Sequence, residues 1–355
     1  MSGEAARIVK CIVWDLDGTL WEGVQAEGDP PTLRPGMREM LDRLAARGIL
    51  QSVASRNDPA AGERLLARPE LVGRFVAPQI GWEPKDAALR RIAAELNIGL
   101  AGLAFVDDSP FERAAVAALL PDALVLAPDD LPGLLDRPEF AASATAEAAA
   151  RPRLYQEAAA RRAAERDFAG DRLRFLESCE MLLEIRPAVA ADLPRLNEMV
   201  ARTNQLNSTG YRYPPEDMES RVSDPAGFLV PVARLRDRFG DYGLIGAALV
   251  DLSPAPASWL VELLMLSCRV EGRGIPAATL RFLLGLAASH GVPVLTALYR
   301  PTPQNRQMAL LLRSLGFNLS LGGAETRVYT RATSDLPPAA PWLTLDVSGF
   351  DGRAT

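Results

Sequence analysis

The chain has 355 residues, 48% of them hydrophobic and 24% charged, a balance typical of a soluble globular protein long enough for about two domains. Its formal charge of -6 disfavours a general nucleic-acid role, which needs a concentrated positive face, and no apolar run reaches the roughly 18 residues that cross a bilayer. The scattered Cys11, Cys179 and Cys268 suggest neither a disulfide framework nor a zinc site, and His290, the one histidine, leaves no supply for a His-rich metal centre. Residues 1–10 are polar and lead straight into an apolar run, so no cleaved leader is expected and the expected compartment is the cytoplasm.

From Ile8 to about Asp129, short apolar runs alternate with helical stretches. This pattern predicts an α/β domain with a parallel sheet and crossover helices, with function at the strand C-termini. Strands are expected at 8–14, 49–54, 74–77, 103–106 and 123–126, and helices at 37–47, 59–67, 85–96 and 110–120. An Ala-rich run, 141–164, then passes into an Arg-rich stretch, 151–174, that reads as an exposed connecting helix. It is either a solvated linker or a docking surface for an acidic partner. A second, α+β domain starts near Leu183, with strands at 183–187, 228–236, 244–251, 259–267 and 294–299 and helices at 191–203, 275–289 and 304–315. The Pro-rich tail from Asp335 shows no element.

Asp15-Leu16-Asp17-Gly18-Thr19-Leu20 follows the first strand directly. Alternation along a strand points Asp15 and Asp17 to the same side, and Gly18-Thr19 turns the chain away, so both carboxylates face a crevice. One can attack phosphorus or hold a cation while the other moves a proton. Three further signals end strands or open helices of the same domain. The Ser55 hydroxyl and its neighbouring N–H groups can bind a phosphate oxygen, and Lys85 can neutralise developing charge. Asp107-Asp108 adds hard oxygens suited to Mg2+.

With these four signals in order, the sequence resembles the haloacid dehalogenase (HAD) superfamily of aspartyl-phosphate phosphatases across about residues 9–113. The resemblance implies Asp15 as nucleophile, Asp17 as general acid and base, and Thr19, Ser55 and Lys85 on the phosphoryl group. It places Mg2+ on Asp15, the Asp17 backbone carbonyl and the acidic pair, with Asp108 the expected direct ligand and Asp107 the alternative. The intervals 21–34 and 55–85 are too short for a sizeable cap domain, so the pocket is either open or closed by something else, the second domain or a partner protein being the candidate.

In the second domain Arg269-Val270-Glu271-Gly272-Arg273-Gly274 lies between an expected strand and an expected helix. Glycines there let the backbone approach an anion at a helix N-terminus. The order of elements resembles the acyl-CoA N-acyltransferase (GNAT) fold, in which this loop holds the pantetheine pyrophosphate. Cys268 stands just before the loop, beside Arg269, where a thiol is expected to be acidified, whereas Cys11 and Cys179 read as structural.

The combination resembles the FkbH family of polyketide biosynthesis over about residues 8–320. It is carried by Asp15-Leu16-Asp17 with Thr19-Leu20-Trp21, Phe105-Val106-Asp107-Asp108-Ser109-Pro110-Phe111-Glu112-Arg113, Thr203-Asn204-Gln205-Leu206-Asn207, Arg236-Asp237-Arg238-Phe239-Gly240-Asp241, residues 266–274, and Tyr299-Arg300-Pro301-Thr302. The resemblance implies removal of phosphates from D-1,3-bisphosphoglycerate and transfer of a D-glyceryl group, through a Cys268 thioester, to the phosphopantetheine arm of an acyl carrier protein. Arg269, Gly272, Arg273 and Gly274 are then the expected arm- and carrier-binding residues. A plain Mg2+-dependent phosphatase, or loading of a related acyl group, is the alternative. The implied partners are a small phosphorylated acyl donor and the carrier, with no nucleic acid and no membrane. The implied domains are 1–140 (HAD-like), 141–180 (linker), 181–332 (GNAT-like) and 333–355 (tail).

Overall fold

The computed structural model describes residues 8–22, 32–141, 146–253, 258–323 and 325–350, the side chains of 146–149, 162 and 268 excepted. The chain divides into two compact units, Met1–Ala160 and Arg161–Thr355.

In chain order the first unit runs β1 (Cys11–Trp14), β2 (Trp21–Glu22), β3 (Thr32–Leu33), α1 (Met37–Ala46), β4 (Leu50–Ser55), α2 (Pro59–Leu66), β5 (Gln79–Ile80), α3 (Lys85–Leu96), β6 (Leu103–Val106), α4 (Pro110–Leu119) and β7 (Leu124–Leu126). Its sheet has the order β5-β4-β1-β6-β7, all parallel, with β1 in the centre. Successive side chains of a strand face opposite ways. Ile12 and Trp14 accordingly pack with Met37, Leu41 and Leu44 of α1, while Cys11 and Val13 pack with Leu89 and Ile92 of α3. A strand covered on both faces must be apolar throughout, which is why β1 reads as a continuous run. Two differences from the expected elements have local causes. The strand expected at 74–77 is not formed, because Ala77 adopts φ +50°, in the left-handed region, and the edge strand starts only at Gln79. The antiparallel hairpin of β2 and β3 was too short to register as a periodic pattern.

The long helix α5 (Ala146–Asp167) contains the boundary between the units. The expected exposed linker is corrected here: Leu154, Ala158 and Arg161 recur at helical spacing and are all buried, so Ala/Arg composition concealed an inward stripe. The helical run also breaks before Arg174, since Asp171 caps a new helix, α6 (Arg172–Ser178), by accepting the Arg174 N–H at 2.9 Å.

The second unit continues with β8 (Met181–Pro187), α7 (Leu193–Arg202), α8 (Pro215–Ser223), β9 (Phe228–Leu229), β10 (Pro231–Asp237), β11 (Gly240–Asp251), β12 (Ser258–Leu266), α9 (Ile275–Ser289), β13 (Val294–Tyr299), α10 (Arg306–Ser314), β14 (Asn318–Gly322), β15 (Arg327–Ala332) and β16 (Leu343–Val347). The mixed sheet has the order β14-β15-β13-β12-β11-β10-β8-β16, with β9 paired to β11. Only β12 with β13 and β16 with β8 run parallel. The tail therefore supplies an edge strand that its composition did not signal, and Phe350 packs on Phe282 of α9 with ring centroids 5.1 Å apart. Both units match the expected fold class, a parallel α/β sheet followed by an α+β sheet. Among the described residues no helix is long and apolar enough to cross a membrane.

Candidate active site

β1 ends at Trp14, and Asp15 is still held to the sheet by its N–H donating to the Val106 carbonyl at 2.9 Å. Pro84 ends the preceding segment and α3 begins at Lys85, whose side chain turns back into the sheet. The Lys85 ammonium is 4% exposed and bonds the Asp15 carboxylate, the Asp107 carboxylate at 3.0 Å and the Ala54 carbonyl at 2.7 Å. One cation thus joins the ends of β1, β4 and β6. Gly18 has φ +68°, and a Cβ there would collide with the Asp108 carboxylate, so the turn after Asp17 needs glycine.

Asp15, Asp107 and Asp108 each offer an oxygen within 4.8 Å of the others. This compact set of hard carboxylate donors suits a divalent cation such as Mg2+. Asp107 is buried, with one oxygen accepting the Ser109 N–H at 2.8 Å and the other paired with Lys85. Asp108, by contrast, is exposed beside Gly18. Burial pushes the Asp15 carboxyl from its ordinary 3.8 up to about 6, with Lys85 pulling it down and Asp107 pushing it up.

The raised folded-state value sets a direction. Asp15 favours the native state below about 3.8, and that advantage is lost as the pH rises through about 6, where the group must ionise in a buried site. A cation offsets this cost only when the carboxylate is charged. Mg2+ is therefore expected to raise the melting temperature at about pH 7.5 and much less at about pH 5, with a gain of about 2.7 kcal/mol at 100 times Kd. Equal melting shifts at both values would remove Asp15 from the cation site.

Asp17 is oriented by Trp21 and Asn57. Its Oδ1 accepts the Trp21 indole N–H at 2.8 Å and its Oδ2 the Asn57 amide at 3.3 Å. The Arg34 guanidinium donates to the Gly18 carbonyl. Both contacts have a signal close to the motifs, since Trp21 stands four residues after Asp17 and Asn57 two residues after Ser55. Thr19 is fully buried, and its hydroxyl accepts the Asp108 N–H at 2.9 Å, so it ties the first loop to the acidic pair. Ser55 lies at the end of β4, and a cavity of about 230 Å³ is lined by it and Lys85 together with Pro59, Ile80, Trp82 and Arg91.

In the second unit the glycine loop takes positive φ at Gly272, +73°, and at Gly274, +81°. Arg172 donates to the Gly272 carbonyl at 2.9 Å and the Trp342 indole to the Arg273 carbonyl at 2.9 Å, so the tail and α6 brace the loop. Arg273 is mostly buried. Its guanidinium bonds the Tyr242 hydroxyl and lies 3.8 Å from the fully buried Asp237, which is also held by Arg161 at 2.6 and 2.8 Å. Asp237 of the Arg-Asp-Arg-Phe-Gly-Asp motif is therefore the centre of a buried ion network. Arg269 likewise turns back, its Nε donating to the Ser267 hydroxyl at 3.2 Å and its Nη2 to the Tyr242 carbonyl at 3.2 Å. Cys268 begins a short 3-10 turn, Cys268–Val270, and its side chain lies outside the described residues. Cys11 and Cys179 are buried, and burial pushes both thiols up, as suits structural residues.

No family model matches the chain, and no curated protein is significantly similar to it. Among solved structures it is similar to the N-terminal part of protein BF1531 from Bacteroides fragilis, which contains a phosphatase domain complexed with Mg. The identity is 30%, over 37% of this chain and 39% of that one, with a TM-score of 0.32. It is also similar to the ribosomal-protein-S18-alanine N-acetyltransferase of Escherichia coli, at 16% identity over 44% of this chain and 96% of that one, with a TM-score of 0.35. A GNAT superfamily phosphinothricin acetyltransferase from Sinorhizobium meliloti, in complex with AcCoA, matches at 23% identity over 42% and 86%, with a TM-score of 0.33. By strand order and its carboxylate–lysine site the first unit is HAD-like, and by its mixed sheet and the glycine loop after β12 the second is GNAT-like.

Proposed function

We propose that the chain is a Mg2+-dependent enzyme that removes phosphate from a small phosphorylated acyl donor and loads the acyl group onto the phosphopantetheine thiol of an acyl carrier protein. D-1,3-bisphosphoglycerate is the donor that its resemblance to the FkbH family favours. The observation that carries the phosphatase half is the buried Lys85 bridging Asp15 and Asp107, with an Asp108 oxygen within 4.8 Å of theirs.

The chemistry balances with residues of this chain. The Cys268 thiolate attacks the acyl carbon, the C–O bond to phosphate breaks, and a C–S bond forms as inorganic phosphate leaves. At the first site an Asp15 oxygen attacks the phosphorus of the remaining ester, and Asp17 gives a proton to the departing alkoxide. Asp17 then takes a proton from water as that water cleaves the aspartyl phosphate, restoring both carboxyl groups. Lys85 and the Ser55 hydroxyl bind the phosphoryl oxygens. When bound by Asp15, the Asp17 carbonyl and Asp108, Mg2+ supplies charge neutralisation at those oxygens. Exchange with the carrier thiol frees Cys268 and completes the cycle.

The test is intact-protein mass spectrometry of a holo carrier protein incubated with enzyme, Mg2+ and 1,3-bisphosphoglycerate. A glyceryl adduct is expected, and Cys268→Ser is expected to keep phosphate-ester cleavage while abolishing loading. Absence of an adduct on several carriers would refute the loading reaction, and loading by Cys268→Ser would mean direct transfer to the carrier.

A further inference from the structure

Ser55 and Lys85 belong both to the carboxylate–lysine site and to the lining of the cavity of about 230 Å³ that adjoins it. Three charged side chains line this cavity: Glu83, Lys85 and Arg91. They come together because Glu83 immediately precedes Pro84, which ends the segment before α3, while Arg91 stands in the second turn of that helix. Both cations already have carboxylate partners. Lys85 is held by Asp15 and Asp107, and Arg91 by Glu83, with the Arg91 Nε also donating to the Gln79 amide oxygen at 3.0 Å. The Arg91 guanidinium holds the Glu83 carboxyl below its ordinary 4.5, so Glu83 is ionised at neutral pH.

The proposed mechanism places the phosphoryl group on Ser55 and Lys85, which leaves the cavity for the organic part of the ester. A second anionic group on that part meets a guanidinium already matched by a carboxylate. To pair with Arg91 it must displace Glu83, and it then faces that carboxylate as a like charge. A neutral group carries no such cost. Its hydroxyl or carbonyl oxygen can accept from one of the five N–H donors of Arg91 while the ion pair stays in place. Its carbon atoms find apolar surface on Ile80 and on Trp82, whose indole is 73% exposed at the cavity.

We propose that Glu83 makes this cavity select phosphate monoesters whose organic part bears no second negative charge. The inference rests on the proposed phosphatase reading and deepens it with an order of events. An acyl group with a free carboxylate or a second phosphate presents an anion to Glu83, whereas the same group joined to a thiol presents a neutral thioester. The reaction that supplies the first site is therefore an acyl transfer to sulfur, and cleavage of the phosphate ester follows it.

The test uses the full chain with Mg2+ and three small esters of similar size: sn-glycerol 3-phosphate, 3-phosphoglycerate and the carboxyl methyl ester of 3-phosphoglycerate. No carrier and no acyl phosphate is present, so the result is separate from that of the loading assay. The two esters without a carboxylate are expected to show kcat/KM about tenfold above that of 3-phosphoglycerate, with the difference mainly in KM. Glu83→Gln alters a side chain that is 57% exposed, so the fold is not at stake. It should lower the KM for 3-phosphoglycerate and shrink the gap to about threefold or less. Raising NaCl from about 50 mM to about 500 mM should narrow the gap in the parent protein too, which a purely steric preference would not do. Equal or better cleavage of 3-phosphoglycerate by the parent protein would overturn the proposal, as would a gap that Glu83→Gln leaves unchanged. Cleavage of none of the three esters would refute the phosphatase reading, and this inference with it.

Discussion

Asp15→Asn is expected to lower phosphate release by about four orders of magnitude or more, because an amide neither attacks phosphorus effectively nor binds a cation as a carboxylate does. The fold should survive this change. Lys85 keeps its bonds to Asp107 at 3.0 Å and to the Ala54 carbonyl at 2.7 Å, so no buried cation is left without a partner. Steady-state phosphate assays paired with melting curves make the check. Activity within tenfold of the parent protein would assign the attack to another group.

Lys85→Met should damage stability and catalysis together. Methionine fills a similar volume but leaves the carboxylates of Asp15 and Asp107 facing each other without the ammonium that joins them. Breaking a buried ion pair by removing one partner costs about 3–5 kcal/mol, and loss of a cation aimed at developing phosphoryl charge about two to three orders of magnitude in rate. The stability loss carries a pH signature. Lys85 lowers the pKa of Asp15 against burial, so without it Asp15 protonates at still higher pH, and the deficit should shrink as acid neutralises the carboxylate. Urea unfolding at several pH values reads this directly. A deficit that grew toward acid would contradict the pairing.

Much of the first site was legible before any fold was known, because its chemistry sits where secondary structure changes. A continuous apolar run ending in Asp-x-Asp-Gly marks the end of a buried strand, and Ser109-Pro110 marks a helix start, which the structure realises with Ser109 as N-cap. Roles that depend on distant neighbours were not legible. Neither the bond from the Asp108 N–H to the Thr19 hydroxyl nor the hold of Tyr242 and Asp237 on Arg273 has a local signature. Arginines 161 and 172 look alike in an Arg-rich stretch, yet one is buried on Asp237 and the other reaches the Gly272 carbonyl.

Sequence by itself determined the two-domain plan and the order of strands and helices around the carboxylates, since hydrophobic period is a local property. Tertiary structure alone decided which of two adjacent aspartates is buried under Lys85, which arginines are buried partners, and that a polar run of Asn, Gln, Ser and Thr around Asn207 lies against β12. Such a run has the composition of a loop. It is held against β12 only because Asn305, Leu264, Leu266 and Arg300 supply hydrogen bonds from residues far away in the chain, and no local pattern records those partners.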